Sequence, residues 1–253
     1  MTESTAETAA RPERAFLDAN VIRGQLTNNI LLTLAERGVF EPRWSQHVID
    51  EMRRNRPLGV SEEKIDKRIA AMNRFFADAM TSGHEGLEPQ MQADAKDKHV
   101  LAGAVHSESD VLVTDNIKDF HPPSSGPHAM KVERLSQFLS RKLALDEQRV
   151  KGALYAMVRD NTRDPRNMSQ LLDKMASQPE LRGFAQRLNQ KVPESDRGTA
   201  QVLTANVRGS SKAVALDGVV PPTGAAHAPA GAPEARKSTQ QGQQKDKGAE
   251  QSQ

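Results

Sequence analysis

The chain has 253 residues, a formal net charge of +2, 27% charged residues and 36% apolar residues. That length allows one or two domains and a core that needs no covalent staple. Its lack of cysteine excludes a disulfide scaffold, a thiol nucleophile and a zinc site built on thiolates.

A cysteine-free chain suits a reducing cytoplasm, which is where we expect the protein. No apolar run approaches the roughly 18 residues of a membrane span, so no membrane partner is expected. Residues 1–13 are polar, lack the apolar stretch of a signal peptide, and are expected to be disordered.

Ala15-Phe16-Leu17 is a short apolar run that ends at Asp18. From Thr27 to Arg37, residues Ile30, Leu31, Leu34 and Ala35 share one helical face, closed by Gly38. Ser45 has the pattern of a helix N-cap, with Trp44 before it and Ile49 as staple partner. The helix that follows carries Val48, Glu51 and Met52 and runs to about Asn55. Ser61 caps the next helix; Glu62 and Glu63 suit its positive end, and Ile65, Ile69, Met72 and Phe76 form its stripe. Asp97 opens a helix with Val100, Leu101, Ala104 and Val105 inward. Val111-Leu112-Val113-Thr114 reads as a buried parallel strand. Met130-Lys131-Val132 is a weaker strand, followed by a helix around Leu135, Phe138 and Leu139.

Three further helical groups follow: Val150, Leu154 and Met157 or Val158; Met168, Leu171, Leu172 and Met175; and Leu181, Phe184 and Leu188, with Pro179 in the first turn of the last. Short helices cannot each bury a face alone. We therefore expect a small bundle, packed on the preceding domain or on a partner; structural packing is preferred over RNA contact through Arg159, Arg163 and Arg166 or the docking of an antitoxin. No Val, Ile, Leu, Met or aromatic residue follows Val220, so burial there cannot offset chain entropy. The expected organisation is a disordered segment over 1–13, an α/β domain over 14–141, a helical extension over 142–192 and a disordered tail over 193–253.

Strands alternating with helices argue for an α/β domain with a central parallel sheet. Ligands of such sheets bind beyond the carboxyl ends of the strands. Asp18 and Asp115 stand at two such ends. Glu51 flanks the apolar face of its helix, and Asp97 begins another. Carboxylates gathered at one edge repel one another unless a cation lies among them. Oxygen-only ligands select hard cations, Mg²⁺ or Mn²⁺, and such ions serve phosphodiester cleavage. Taken singly, each acid also reads as a surface charge or a cap.

The wording around these acids carries more. Phe16-Leu17-Asp18-Ala19-Asn20-Val21, Asp50-Glu51-Met52-Arg53-Arg54-Asn55, Asp94-Ala95-Lys96-Asp97-Lys98-His99-Val100-Leu101 and Val113-Thr114-Asp115-Asn116-Ile117-Lys118-Asp119-Phe120 follow in order. This series resembles the PIN-domain family, in the branch of the VapC-type toxins of bacterial toxin–antitoxin pairs. The resemblance spans about Ala15 to Leu139.

It implies a three-layer α/β fold with a Mg²⁺- or Mn²⁺-dependent ribonuclease site that cleaves RNA by metal-assisted hydrolysis. It also implies a cognate antitoxin and a homodimer. Carried over by position, Asp18, Glu51 and Asp97 are metal ligands. Either Asp115 or Asp119 is the fourth acid, with Asp115 preferred because it stands at the strand end. Asn20 and Asn116, beside Thr114, are expected to orient ligands or substrate. One departure is Lys96, which dilutes a segment that is more densely acidic in relatives.

His99 reads either as a proton-transfer or phosphate-contacting group, or as a half-buried helix residue packing near Val100; the second is preferred. Arg53, Arg54 and Arg56, Lys96 and Lys98, and Lys118 lie beside these acids and are candidates for phosphate contact, although each also fits a solvated face. The competing reading is a PIN-like module that binds RNA or protein with little catalysis. A haloacid-dehalogenase-type phosphotransferase fits poorly, because it needs an acid where Asn20 stands.

Overall fold

A computed structural model of the chain describes residues 11–123 and 125–198. The expected disorder over 1–13 and 193–253 falls largely on residues outside these ranges.

Five parallel strands form the central sheet, in the order β3-β2-β1-β4-β5. They are β1 (Arg14–Leu17), β2 (Glu41–Ser45), β3 (Met80–Thr81), β4 (Val111–Val113) and β5 (Lys131–Glu133). β1 and β4 lie at the centre, with Ala15 opposite Val111 and Leu17 opposite Val113. Phe16, Leu17, Val111, Leu112 and Val113 are fully buried. Continuous apolar runs are what strands covered on both faces require. Helices on the two sides complete a three-layer α/β domain: α1 (Ala19–Ile22), α2 (Gln25–Glu36), α3 (Gln46–Arg54), α4 (Glu62–Phe75), α5 (Lys98–His106) and α6 (Leu135–Leu145).

The helix signals of the sequence act as expected. Gly38 ends α2 with φ +69°, a left-handed value that costs a glycine nothing. The Ser45 hydroxyl accepts from Val48 N, and the Ser61 hydroxyl accepts from Lys64 N.

Two strands have no apolar run to announce them. β2 reads Glu-Pro-Arg-Trp-Ser, and β3 has only two residues. Proline is normally excluded from an interior strand because it lacks a ladder donor. Here Glu41 N donates to Glu13 O on the β1 side. By the alternation of a strand, Pro42 then faces the β3 side. β3 begins to pair only opposite Trp44, so no ladder bond is lost.

α5 lies close to the sheet. A Cβ added at Gly103 would fall 2.7 and 2.9 Å from ring atoms of Phe16. Phe16 is fully buried and cannot swing away. Gly103→Ala should therefore destabilise the fold by about 1–3 kcal/mol through overpacking, against a helix-propensity gain of about 1 kcal/mol. Urea denaturation checks this; an unchanged or higher midpoint would show that the helix can shift freely.

The later helices are α7 (Glu147–Asp160), α8 (Met168–Ala176) and α9 (Pro179–Asn189). α7 packs on α2 and α6, and α9 packs on α6 and α8. Their stripes are buried, with Val150, Leu154, Met168, Leu171, Met175, Leu181, Phe184 and Leu188 all fully covered. The extension thus packs on the α/β domain itself. The boundary expected between 141 and 142 falls inside α6. There Lys142 Nζ and Arg141 Nη1 reach Glu13 Oε2 at 2.7 and 3.0 Å and tie the entry to β1 onto this helix. Among the described residues, no helix is long and apolar enough to cross a membrane.

Candidate metal centre

The sheet order reverses at β1. The chain moves to β2 on one side of it and returns to β4 on the other. Such a switch point opens a crevice beyond the strand ends. Asp18 directly follows β1 and Thr114 directly follows β4, with Asp18 N donating to Val113 O at 3.1 Å. Thr114 is fully buried, and Asp18 is 6% exposed. The Thr114 hydroxyl donates to Asp18 Oδ2 at 2.7 Å. Asn20 Nδ2 donates to that same carboxylate oxygen at 2.6 Å and to Thr114 Oγ1 at 3.0 Å. Asn20 Oδ1 accepts from Asp115 N at 3.2 Å, and Asn116 N donates to Thr114 Oγ1 at 3.1 Å. These bonds hold one buried carboxylate in a single orientation.

Three other elements bring acids to this edge. α3 carries Glu51, whose Oε1 lies 3.2 Å from His99 Nε2 in the first turn of α5. Asp97 stands immediately before α5, with no side-chain capping bond of its own. Asp119 ends the 3-10 turn Ile117–Asp119. An antiparallel bridge between Ala93 and Phe120 sets its loop beside the one leading to α5. The Asn116 amide donates to Asp97 Oδ2 at 3.4 Å and to Asp119 Oδ2. Carboxylate oxygens of Asp94, Asp97 and Asp119 lie within 4.8 Å of one another.

The electrostatics show mutual exposure of these groups. Burial pushes the Asp18 carboxyl up to about 6; the Thr114 bond opposes this, while the charges of Glu51 and Asp97 add to it. Asp97 is also raised, first by burial, against Lys96, and with the charges of Asp119, Glu51 and Asp94 adding. Glu51 moves the other way because His99 hydrogen-bonds to it. Burial lowers the His99 imidazole, but the Glu51 bond and charge, with Glu88 and Asp18, outweigh burial and raise it. Two facing carboxylates that resist ionisation, Asp18 and Asp97, fit a divalent cation, and a donor set of oxygens alone fits a hard one.

The Asp115 carboxylate has a different set of partners. It accepts from the backbone of Leu135 at the start of α6. Burial is the main cause of its raised value, and the charges bearing most on it are Glu180, Arg134 and Arg23. Of the basic candidates, Arg53 is bound to Asp66 at 2.8 Å and Asp50 at 3.3 Å. Lys96 lies 4.0 Å from Asp97. Arg54 and Lys118 are exposed, and Lys98 is half-buried at the first position of α5. In the extension, Arg159 pairs with Asp160 and Arg166 with Asp164. The sequence reading passed over Asp94, one turn before Asp97. It also preferred a packing role for His99, which pairs with Glu51 in the fold.

Residues 14–118 match a family model of the PIN domain. This segment, about two fifths of the chain, is similar to the PIN-domain family. The matched segment runs from β1 into the 3-10 turn after β4, so β5 and α6 to α9 follow it. The chain is 33% identical over 111 residues to a protein of Mycobacterium tuberculosis named "Putative ribonuclease VapC50". That match covers 44% of this chain and 66% of the relative, just under two thirds of its length. No solved structure matches significantly.

Proposed function

We propose that this PIN domain is a Mg²⁺- or Mn²⁺-dependent endoribonuclease, and that it is the toxin of a type II toxin–antitoxin pair. The observation carrying this reading is the convergence of Asp18, Glu51, Asp97 and Asp119 at the sheet's switch point. The relative's name, a ribonuclease of the VapC series, supports it. The substrate is single-stranded or structured RNA, such as tRNA. The partners are a cognate antitoxin and a second copy of the chain.

Asp18, Glu51, Asp97 and Asp119 would hold the ion, with Asp94 adding negative charge beside them. A divalent ion bound there supplies Lewis-acid chemistry for phosphodiester hydrolysis. Thr114 and Asn20 orient Asp18 through the bonds described above. Asn116 spans Asp97 and Asp119 and fixes their separation. His99 holds Glu51 and keeps it ionised. The exposed Arg54 and Lys118, with Lys98, offer charge to a phosphate backbone. Arg53 contributes less, being committed to Asp50 and Asp66.

The test is cleavage of total RNA and purified tRNA with Mg²⁺ or Mn²⁺, beside an EDTA control. Cutting that stops in EDTA and returns with the ion is the expected result. No cutting of RNA by the folded chain would overturn the nuclease and leave the binding module as the reading.

A further inference from the structure

A second group of potential ligands stands beside the acids, with a different donor chemistry. His47 is the second residue of α3, His84 precedes the 3-10 turn Glu85–Gln90, and Glu88 lies within that turn. One ligand atom from each lies within 4.8 Å of the other two. His84 is only 2% exposed, and neither of its ring nitrogens has a hydrogen-bond partner among the described residues. Buried polar side chains are nearly always paired. A buried imidazole favours its neutral form, and a neutral ring nitrogen is the lone pair a metal takes.

We propose that His47, His84 and Glu88 form a second cation site, selective for Zn²⁺ and distinct from the Asp18–Glu51–Asp97–Asp119 centre. Two imidazoles and one carboxylate match the preference of Zn²⁺ and disfavour Mg²⁺, which takes oxygen ligands. Bonds of roughly 2.0–2.2 Å to a tetrahedral ion would put ligand atoms about 3.5 Å apart. His47 is exposed and free to rotate the remaining distance. Three protein ligands leave one coordination position open. The site would pin the turn 85–90 to α3, the helix that carries Glu51. The two centres are neighbours, since the His47 ring stands edge-on to His99, 5.2 Å between centroids, and 6.1 Å from the His84 ring.

Zn²⁺ alone, titrated calorimetrically into the EDTA-stripped and dialysed full chain, tests this. The variants are His47→Gln and Glu88→Gln, both outside the core, and Asp97→Asn at the acid centre. A high-affinity Zn²⁺ site is expected, with a rise in Tm on loading. Each of His47→Gln and Glu88→Gln should weaken it by about tenfold or more, while Asp97→Asn retains it and excess Mg²⁺ does not displace the ion. Unchanged Zn²⁺ binding in His47→Gln and Glu88→Gln, or its loss in Asp97→Asn, would overturn the assignment.

Discussion

Asp18→Asn should abolish RNA cleavage and, in the metal-free protein, raise stability. Both effects have one cause. The fold buries a carboxylate to 6% exposure and surrounds it with other acids. Its pKa moves from 3.8 to about 6. One unit is worth about 1.4 kcal/mol, so the ionised group costs the fold about 3 kcal/mol near neutral pH. The sign follows from linkage. Between the unfolded and folded values the native state binds the proton more tightly, so stability falls as pH rises from 3.8 to about 6. The amide of the variant would still accept from the Thr114 hydroxyl while carrying no charge. We expect a gain of about 1–3 kcal/mol at pH 7 and a flatter acid limb of the stability profile. Loss of a ligand should lower cleavage by about 100-fold or more, since removing even an outer-shell partner costs 10- to 100-fold. In the wild type, Mn²⁺ affinity should weaken as pH falls through about 6, because the proton competes for the same oxygen. Denaturation of apo wild type and variant at pH 5 and 7, beside the RNA assay, checks the set. Full cleavage by the variant would remove Asp18 from the site.

How much of this was legible in the sequence depends on where the information lies. β1 and β4 announce themselves because a strand buried on both faces must be apolar throughout, as Phe16-Leu17 and Val111-Leu112-Val113 are. Ser45, Ser61 and Gly38 act through local geometry, so local sequence carries them. β2 was hidden because its proline is tolerated only by the late start of β3, a fact of tertiary pairing. The extension's apolar stripes were visible, but their seat on α2 and α6 was not. In the candidate site, Asp18, Glu51 and Asp97 could be singled out because each begins, ends or flanks a readable element. The bond between His99 and Glu51 joins residues 48 apart, and no spacing rule reaches that far.

The fourth acid tests the same limit. Position at a strand end favours Asp115, whereas geometry favours Asp119. The chain turns after Thr114, and the two carboxylates part. Asp115 meets the first backbone N–H of α6; Asp119 returns to the Asn116 amide and joins Asp94 and Asp97. Asp119→Asn should therefore weaken Mn²⁺ binding by about tenfold or more, with a parallel loss of cleavage. The cause is the removal of one negative charge from the converging set. Asp115→Asn should leave Mn²⁺ affinity nearly unchanged, since an amide oxygen can still accept from Leu135. Asp115→Ala removes that acceptor and should cost about 1 kcal/mol of stability, as other lost helix-start acceptors do, again with metal binding retained. Mn²⁺ titration of the three variants separates the readings. A large loss of affinity in Asp115→Asn with none in Asp119→Asn would mean that the loop after β4 rearranges when the ion binds and that the strand-end residue is the ligand.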